Sequence, residues 1–470
     1  MFREYMHRIY QALIRGCKRR ASRSEHRGRP SGRPAPRFRP WLEGLEDRTV
    51  PSAVNWIGGS GDWNDASHWL DAATMINHVP TATDDAVISV AGVTVTHSTG
   101  ADAVNSLLAS GGTFNFSGGT LTVTTTVSGD DAFMLSGGIL ANATVASGTT
   151  ITGTNSGGTL SGLTFNGDLD LTNNASATVS NDLTLNGSTI NLGNAAGSTG
   201  GQLFFQGTQT LDGTGTVLLG GSSSDGLFSY GLANLTIGAD ILVHGKNGQI
   251  NFGIQAFANQ GTISADTAGG TISLAGSNWS NSGTIQASNG GTLSLQGNWS
   301  NSGNLSIGNS STFTVTGSLT QTAGSLTLES GSGLTATTGI TLQGGTLSGL
   351  GTITGDVLNT GGNVIVGDGG ARVGILTIVG NYTQGPGGTL SIKIGGATAG
   401  TQYDQLAVGG TATLDGTLNV TLIDGFTPNS GDTFQPLGST SESGTFASLP
   451  DDGTMFTDSY AAGGVTLTKN

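Results

Sequence analysis

Apolar and small polar residues alternate along most of this chain. Thr120-Leu121-Thr122-Val123-Thr124 and Gly291-Thr292-Leu293-Ser294-Leu295 are typical stretches. Period-two alternation rich in β-branched residues predicts half-buried strands, each with one apolar edge and one hydroxyl-bearing edge. The strands recur in register. Gln260-Gly261-Thr262-Ile263, Ser282-Gly283-Thr284-Ile285, Ser302-Gly303-Asn304-Leu305 and Ala323-Gly324-Ser325-Leu326 follow one another at spacings of 22, 20 and 21. A second series, at Gly270-Thr271-Ile272, Gly291-Thr292-Leu293, Ser311-Thr312-Phe313 and Ser332-Gly333-Leu334, keeps spacings of 21, 20 and 21. Two series in one register mean that a single unit is stacked on copies of itself. A strand-rich repeat of this length predicts an all-β, single-stranded parallel β-helix.

Gly, 81 of 470 residues, and Asn supply the corners, where the backbone turns at positive φ. At about 21 residues per coil and about 4.8 Å per rung, the main stretch from Val93 to Gly355 predicts about 12–14 rungs and about 60–70 Å. Four segments are expected. They are a basic leader over 1–52, an N-terminal cap over 53–90, the helix proper over 91–355, and a β-helix end with a β-rich cap over 356–470. Trp56, Trp63 and Trp69 give the first cap a large apolar mass, which an exposed terminal rung needs. A sugar-stacking platform is the alternative use of these indoles. Trp279 and Trp299 lie one rung apart and are expected to stack while packing a corner.

Charge is segregated. Thirteen of the 17 Lys and Arg, and five of the 31 acids, lie at or before Arg48, so this segment carries +8. The remainder, with four bases against 26 acids, carries −22, a balance that repels nucleic acid and anionic membrane. The single Cys17 lies in the leader and leaves the body without disulfides or thiolate metal ligands. No apolar run is long enough for a transmembrane helix or for an ordinary secretory signal.

Two stretches carry resemblances. Leu42-Glu43-Gly44-Leu45-Glu46-Asp47-Arg48-Thr49-Val50-Pro51 resembles a short Leu-Glu-x-Leu-Glu-Asp-Arg-x-x-Pro segment. That segment stands near the start of many surface and secreted proteins of planctomycete bacteria. The resemblance implies that the leader is an export or processing signal rather than a nucleic-acid arm. Asn55-Trp56-Ile57-Gly58-Gly59-Ser60-Gly61-Asp62-Trp63, followed by Val79-Pro80-Thr81-Ala82-Thr83-Asp84-Asp85, resembles the opening of autotransporter-type passenger repeats. Gly380-Asn381-Tyr382-Thr383-Gln384, Tyr403-Asp404-Gln405-Leu406 and Gly425-Phe426-Thr427-Pro428 resemble the end of the same repeat region. In that family such a stretch closes a β-helix ahead of an outer-membrane barrel. The sequence to Asn470 contains no barrel, so the export route of that family is not expected here.

Enzymatic β-helices that act on acidic glycans need clustered carboxylates with Arg or Lys beside them. Asp130-Asp131 is the best acid pair, Asp168 and Asp170 share a strand face, and His244-Gly245-Lys246 is the one place in the body, after Arg48, where His and a base adjoin. Lys246, Arg372, Lys393 and Lys469 are the only bases after Arg48. The acids are therefore read as solvated turn residues. His7, His26, His68, His78, His97 and His244 are scattered without metal-ligand spacing. Asp62, Asp65, Asp84 and Asp85 are the alternative, a Ca²⁺ site in the cap. The expectation is a non-enzymatic, extracellular or cell-surface structural or adhesion protein, without catalytic residues, cofactor or metal. Its expected partners are cell-surface glycans or other envelope proteins, with no nucleic acid and no transmembrane segment.

Overall fold

A computed structural model describes residues 51–130, 133–368, 370, 372–450 and 455–470. The expectations for the leader, the export segment, Cys17 and Asp131 fall outside the described residues. The body, Val50–Asn470, is a parallel β-solenoid with three faces. Each coil visits the faces in the same order. In one coil Ser106–Ala109 lies on the first face, Thr113–Phe116 on the second and Thr120–Val123 on the third. The next coil repeats this with Thr126–Gly129, Phe133–Leu135 and Ile139–Ala141, each paired in parallel with its predecessor. From Ser106–Ala109 to Ile340–Leu342 the first face carries twelve such segments in one continuous parallel ladder, within the predicted range.

Alternation explains why the stack closes. On the second face the inward file Ile263, Ile285, Leu305, Leu326, Leu347, Val364 and Leu390 is fully buried. Each such side chain contributes about 1.5–3 kcal/mol relative to exposure. The residues between them, Thr262, Thr284, Asn304, Ser325 and Thr346, face outward. A corner glycine shows why small residues are needed: Gly297 has φ +90, and a Cβ there would lie 1.7 Å from the Gly276 carbonyl oxygen of the previous coil.

The first face departs from the polar-out rule. Asn259, Asn281, Asn301 and Gln321 point inward, stacked in register beneath Ile237 and above Leu342. They survive burial because each amide hydrogen-bonds to the next. Asn259 Nδ2 donates to Asn281 Oδ1 at 2.7 Å, Asn281 Nδ2 to Asn301 Oδ1 at 2.6 Å, and Asn301 Nδ2 to Gln321 Oε1 at 2.7 Å. The same nitrogens reach the carbonyls of Gly261, Gly283 and Gly303. Beside this ladder Phe257, Trp279 and Trp299 pack ring on ring, the indoles 4.9 Å apart and 28° from parallel. The stacking expectation holds, but the corner placement does not. Trp279 and Trp299 sit within strands Thr271–Asn281 and Thr292–Asn301 and face the core.

At the N-terminal end, strand Ser52–Trp56 pairs antiparallel with Trp69–Asp71 and parallel with Asp84–Ile88. Trp56, Trp63 and Trp69 meet edge to face at 5.0 and 4.8 Å, and Trp63 continues onto Phe114. All three indoles are buried, so they offer no stacking face to a sugar. At the other end Thr433–Gly438 turns the third face antiparallel against Gly464–Lys469, which pairs in turn with Phe456–Ala461.

Candidate ligand groove on the second face

The outward file of the second face runs Asp170, Asn191, Leu218, His244, Ser264, Gln286, Ser306, Thr327 and Ser348. Leu218 is the exception in this polar series, an outward-facing leucine that is 39% exposed. The corner beside it opens into a groove of about 380 Å³. Leu218, Gly193, Ala195 and Gly220 line one side, and His244, Lys246, Asp266 and Thr267 line the other.

The polar groups of the groove are held by the coil repeat. Asp266 lies one coil after His244, and its Oδ2 is 2.7 Å from His244 Nδ1. That contact fixes the imidazole and leaves Nε2 without a partner among the described residues. Lys246 lies two residues beyond His244, with its stem alongside Gly270. Among the described Lys and Arg, the charged end of Lys246 alone has no protein partner. Arg372 pairs with Glu329, Lys393 with Asp404, and Lys469 with the Asn470 carbonyl. Asp225 secures the loops behind Gly193 and Gly220 by accepting from Gly201 N at 2.9 Å and Ser222 N at 3.2 Å. Burial pushes its carboxyl above the ordinary range despite those hydrogen bonds.

The other sequence candidates do not converge on one centre. Asp168 and Asp170 each accept a backbone N–H, from Thr189 and Thr172 respectively. Asp130 is exposed. In the cap, Asp84 binds Ser52 and Thr81, Asp85 binds Asn105 and Ser106, Asp62 binds Ser98, and Asp65 binds Ser67. Each carboxylate is spent on a turn or an adjoining strand, and no group of three or more His, Cys, Asp or Glu suited to a metal occurs among the described residues. His97 is buried, bridging the Gly118 carbonyl at 2.8 Å and Asp102 at 2.9 Å, and it ties its own coil to the next. Lys393 and Asp404 form a buried pair at 3.0 Å whose remaining bonds go to backbone groups of Val366, Gly374 and Lys393.

Leu218 was missed at the sequence level, although a signal was present. Val217-Leu218-Leu219 and Ile241-Leu242-Val243 are three-residue apolar runs that break period two on adjacent rungs. Asp266 was missed because its tie to His244 spans a full coil.

No family model matches this chain, and no curated protein matches it. Among solved structures, the crystal structure of the Haemophilus influenzae Hap adhesin is similar, with a TM-score of 0.37 and 11% identity. The match covers 84% of this chain and 62% of that one, so it spans less than two thirds of the adhesin's length. Nothing about activity passes from that likeness to this chain.

Proposed function

We propose that this protein is a secreted or cell-surface β-helical structural and adhesion component of a bacterial envelope, acting by display rather than by catalysis. The observation that carries this reading is how the side chains are used. Most apolar residues lie inside the stack, and the outward files consist mainly of small hydroxyls and amides that recur from rung to rung, with exceptions such as Leu218 and Leu358. On the third face Thr271, Thr292 and Thr312 form one such file, and Ser273, Ser294, Thr314 and Thr335 another. A regular array of identical weak contacts gains affinity through repetition. Its partners in this reading are cell-surface glycans or other envelope proteins. Residues 1–52 serve as the export or processing segment, 53–90 and 356–470 as the two ends, and 91–355 as the spacer.

The test is fractionation of cells that express the full chain, with mass spectrometry of the mature N-terminus in envelope and medium. Protein outside the cytoplasm with a start near Pro51 is expected; nucleoid or cytosolic retention of the intact chain would end the reading. A glycan-active enzyme is the second reading, favoured by the His244–Asp266 pair beside an unpaired Lys246. Unsaturated or reducing products from polyuronides that disappear in His244→Ala would establish it.

A further inference from the structure

We propose that the groove around Leu218, His244 and Lys246 binds a carboxylate-bearing sugar unit of a surface glycan. This deepens the display reading and rests on it. Three features point to the ligand class. The first is charge. The body carries −22 after Arg48, and every other described Lys or Arg is engaged, yet the Lys246 ammonium is left free on the wall of a concave site. An unpaired cation in a partly desolvated groove attracts an anion more strongly than the same group on a flat surface.

The second feature is the floor. Leu218 replaces a polar residue in an otherwise polar file, and Ala195 and Gly220 keep the space beside it open. Mixed grooves of this kind, mostly apolar with a few fixed polar groups, suit a ring that has one C–H face and one hydroxyl edge. The third is the imidazole. Asp266 orients His244 through Nδ1, so Nε2 is presented to meet a sugar hydroxyl. The Asp266 carboxylate is occupied by that contact and by the nearby Thr267 hydroxyl at 3.4 Å. A long acyl chain would require a continuous apolar trough, which the polar neighbours of Leu218 interrupt.

The experiment titrates the full chain with a glucuronate-terminated oligosaccharide and with the neutral oligosaccharide bearing glucose at the same position. A glutamate-rich peptide of equal charge is the third probe. Ligand-observed NMR and calorimetry are read at two salt concentrations. The expected result is preference for the acidic sugar by at least about tenfold, weakening with salt as an exposed charge contact does. Lys246→Gln should bring the acidic-to-neutral ratio close to one, and Lys246→Arg should restore it. Leu218→Ser should weaken both sugars alike. Unfolding temperatures of the three variants are measured alongside, so that misfolding is separated from loss of contact.

Equal binding of acidic and neutral sugars, equal binding of the peptide, or an unchanged ratio in folded Lys246→Gln would each overturn the assignment. So would absence of binding by the parent. If these fail while the protein is still found at the cell surface, the groove assignment falls and the display reading stands. Retention inside the cell would remove the display reading whatever the groove binds.

Discussion

Replacing Asn301 by Leu tests whether the buried amide ladder is a structural unit. The side chain is fully buried and makes three hydrogen bonds, accepting from Asn281 and donating to Gln321 and to the Gly303 carbonyl. Leu has a similar shape, and Ile237 and Leu342 occupy this file elsewhere, so the backbone tolerates it. After the change the Gly303 carbonyl keeps Ser325 N at 3.0 Å and Asn281 Nδ2 keeps the Gly283 carbonyl at 3.2 Å, whereas Gln321 Oε1 loses its donor and the second N–H of Asn281 Nδ2 loses its acceptor. One orphaned buried acceptor and one orphaned buried N–H cost about 1–3 kcal/mol each, and the added apolar burial returns part of this, so a net loss of about 2–4 kcal/mol is expected. The double variant Asn301→Leu/Gln321→Leu removes one orphan and should cost about 1–3 kcal/mol less than the sum of its singles. Denaturant unfolding gives the totals, and hydrogen exchange places the loss in the rungs next to residue 301, as neighbour coupling in a solenoid requires. A single variant within about 0.5 kcal/mol of the parent, or additivity within about 0.5 kcal/mol, would refute the ladder argument.

Other consequences are equally open to measurement. Gly297→Ala should destabilise far more than Gly290→Ala. Both glycines have positive φ, but only the former would drive its Cβ into a carbonyl, whereas nothing lies closer than 3.8 Å to the latter; chemical denaturation of the pair is the check. Trp279→Phe should cost about 1–3 kcal/mol less than Trp299→Phe, because Trp279 Nε1 has no hydrogen-bond partner while Trp299 Nε1 donates to the Gln296 carbonyl. Acid should act unevenly along the stack. The Ser98 hydroxyl and Asn64 N–H hold Asp62 low, and Asp84, despite its burial, is held low by Ser52 and Thr81. Their contribution is therefore present above the unfolded carboxyl range, about pH 4, and is lost as pH falls below it. Burial raises Asp225, so its ionisation opposes folding and its section gains stability on acidification. Hydrogen exchange at about pH 6 and about pH 3, corrected for intrinsic rates, should show the cap opening in acid while the coils at Asp225 do not; equal change in both would contradict the assignment.

The second and third faces were legible because Thr262-Ile263 and Thr271-Ile272 begin strict alternations that return every 20–22 residues. The first face was harder to read. Asn278-Trp279-Ser280-Asn281 carries the residues of a turn, and only the neighbouring rung, which supplies the partner amide, makes an inward Asn281 affordable. The groove was half legible: His244 and Lys246 stood out by type, whereas Leu218 needs strand register to reveal that it faces outward. The cap acids illustrate the opposite limit. Their number suggested a shared ion, but the fold turns each toward a separate hydroxyl or amide.

Pulsed electron resonance between spin labels on the outward file of the first face tests the parallel stack most directly. That file runs Ser280, Ser300, Thr320, Thr341, Leu358, Thr383, Thr413 and Ser443, one residue per coil. In a Cys17→Ser background, labels at Ser280 and Thr383 should lie about 24 Å apart and labels at Ser280 and Ser443 about 34 Å, growing by about 4.8 Å per coil. Separations that fail to grow in proportion to the number of intervening coils would contradict a single hydrogen-bonded stack, and with it every surface assigned above.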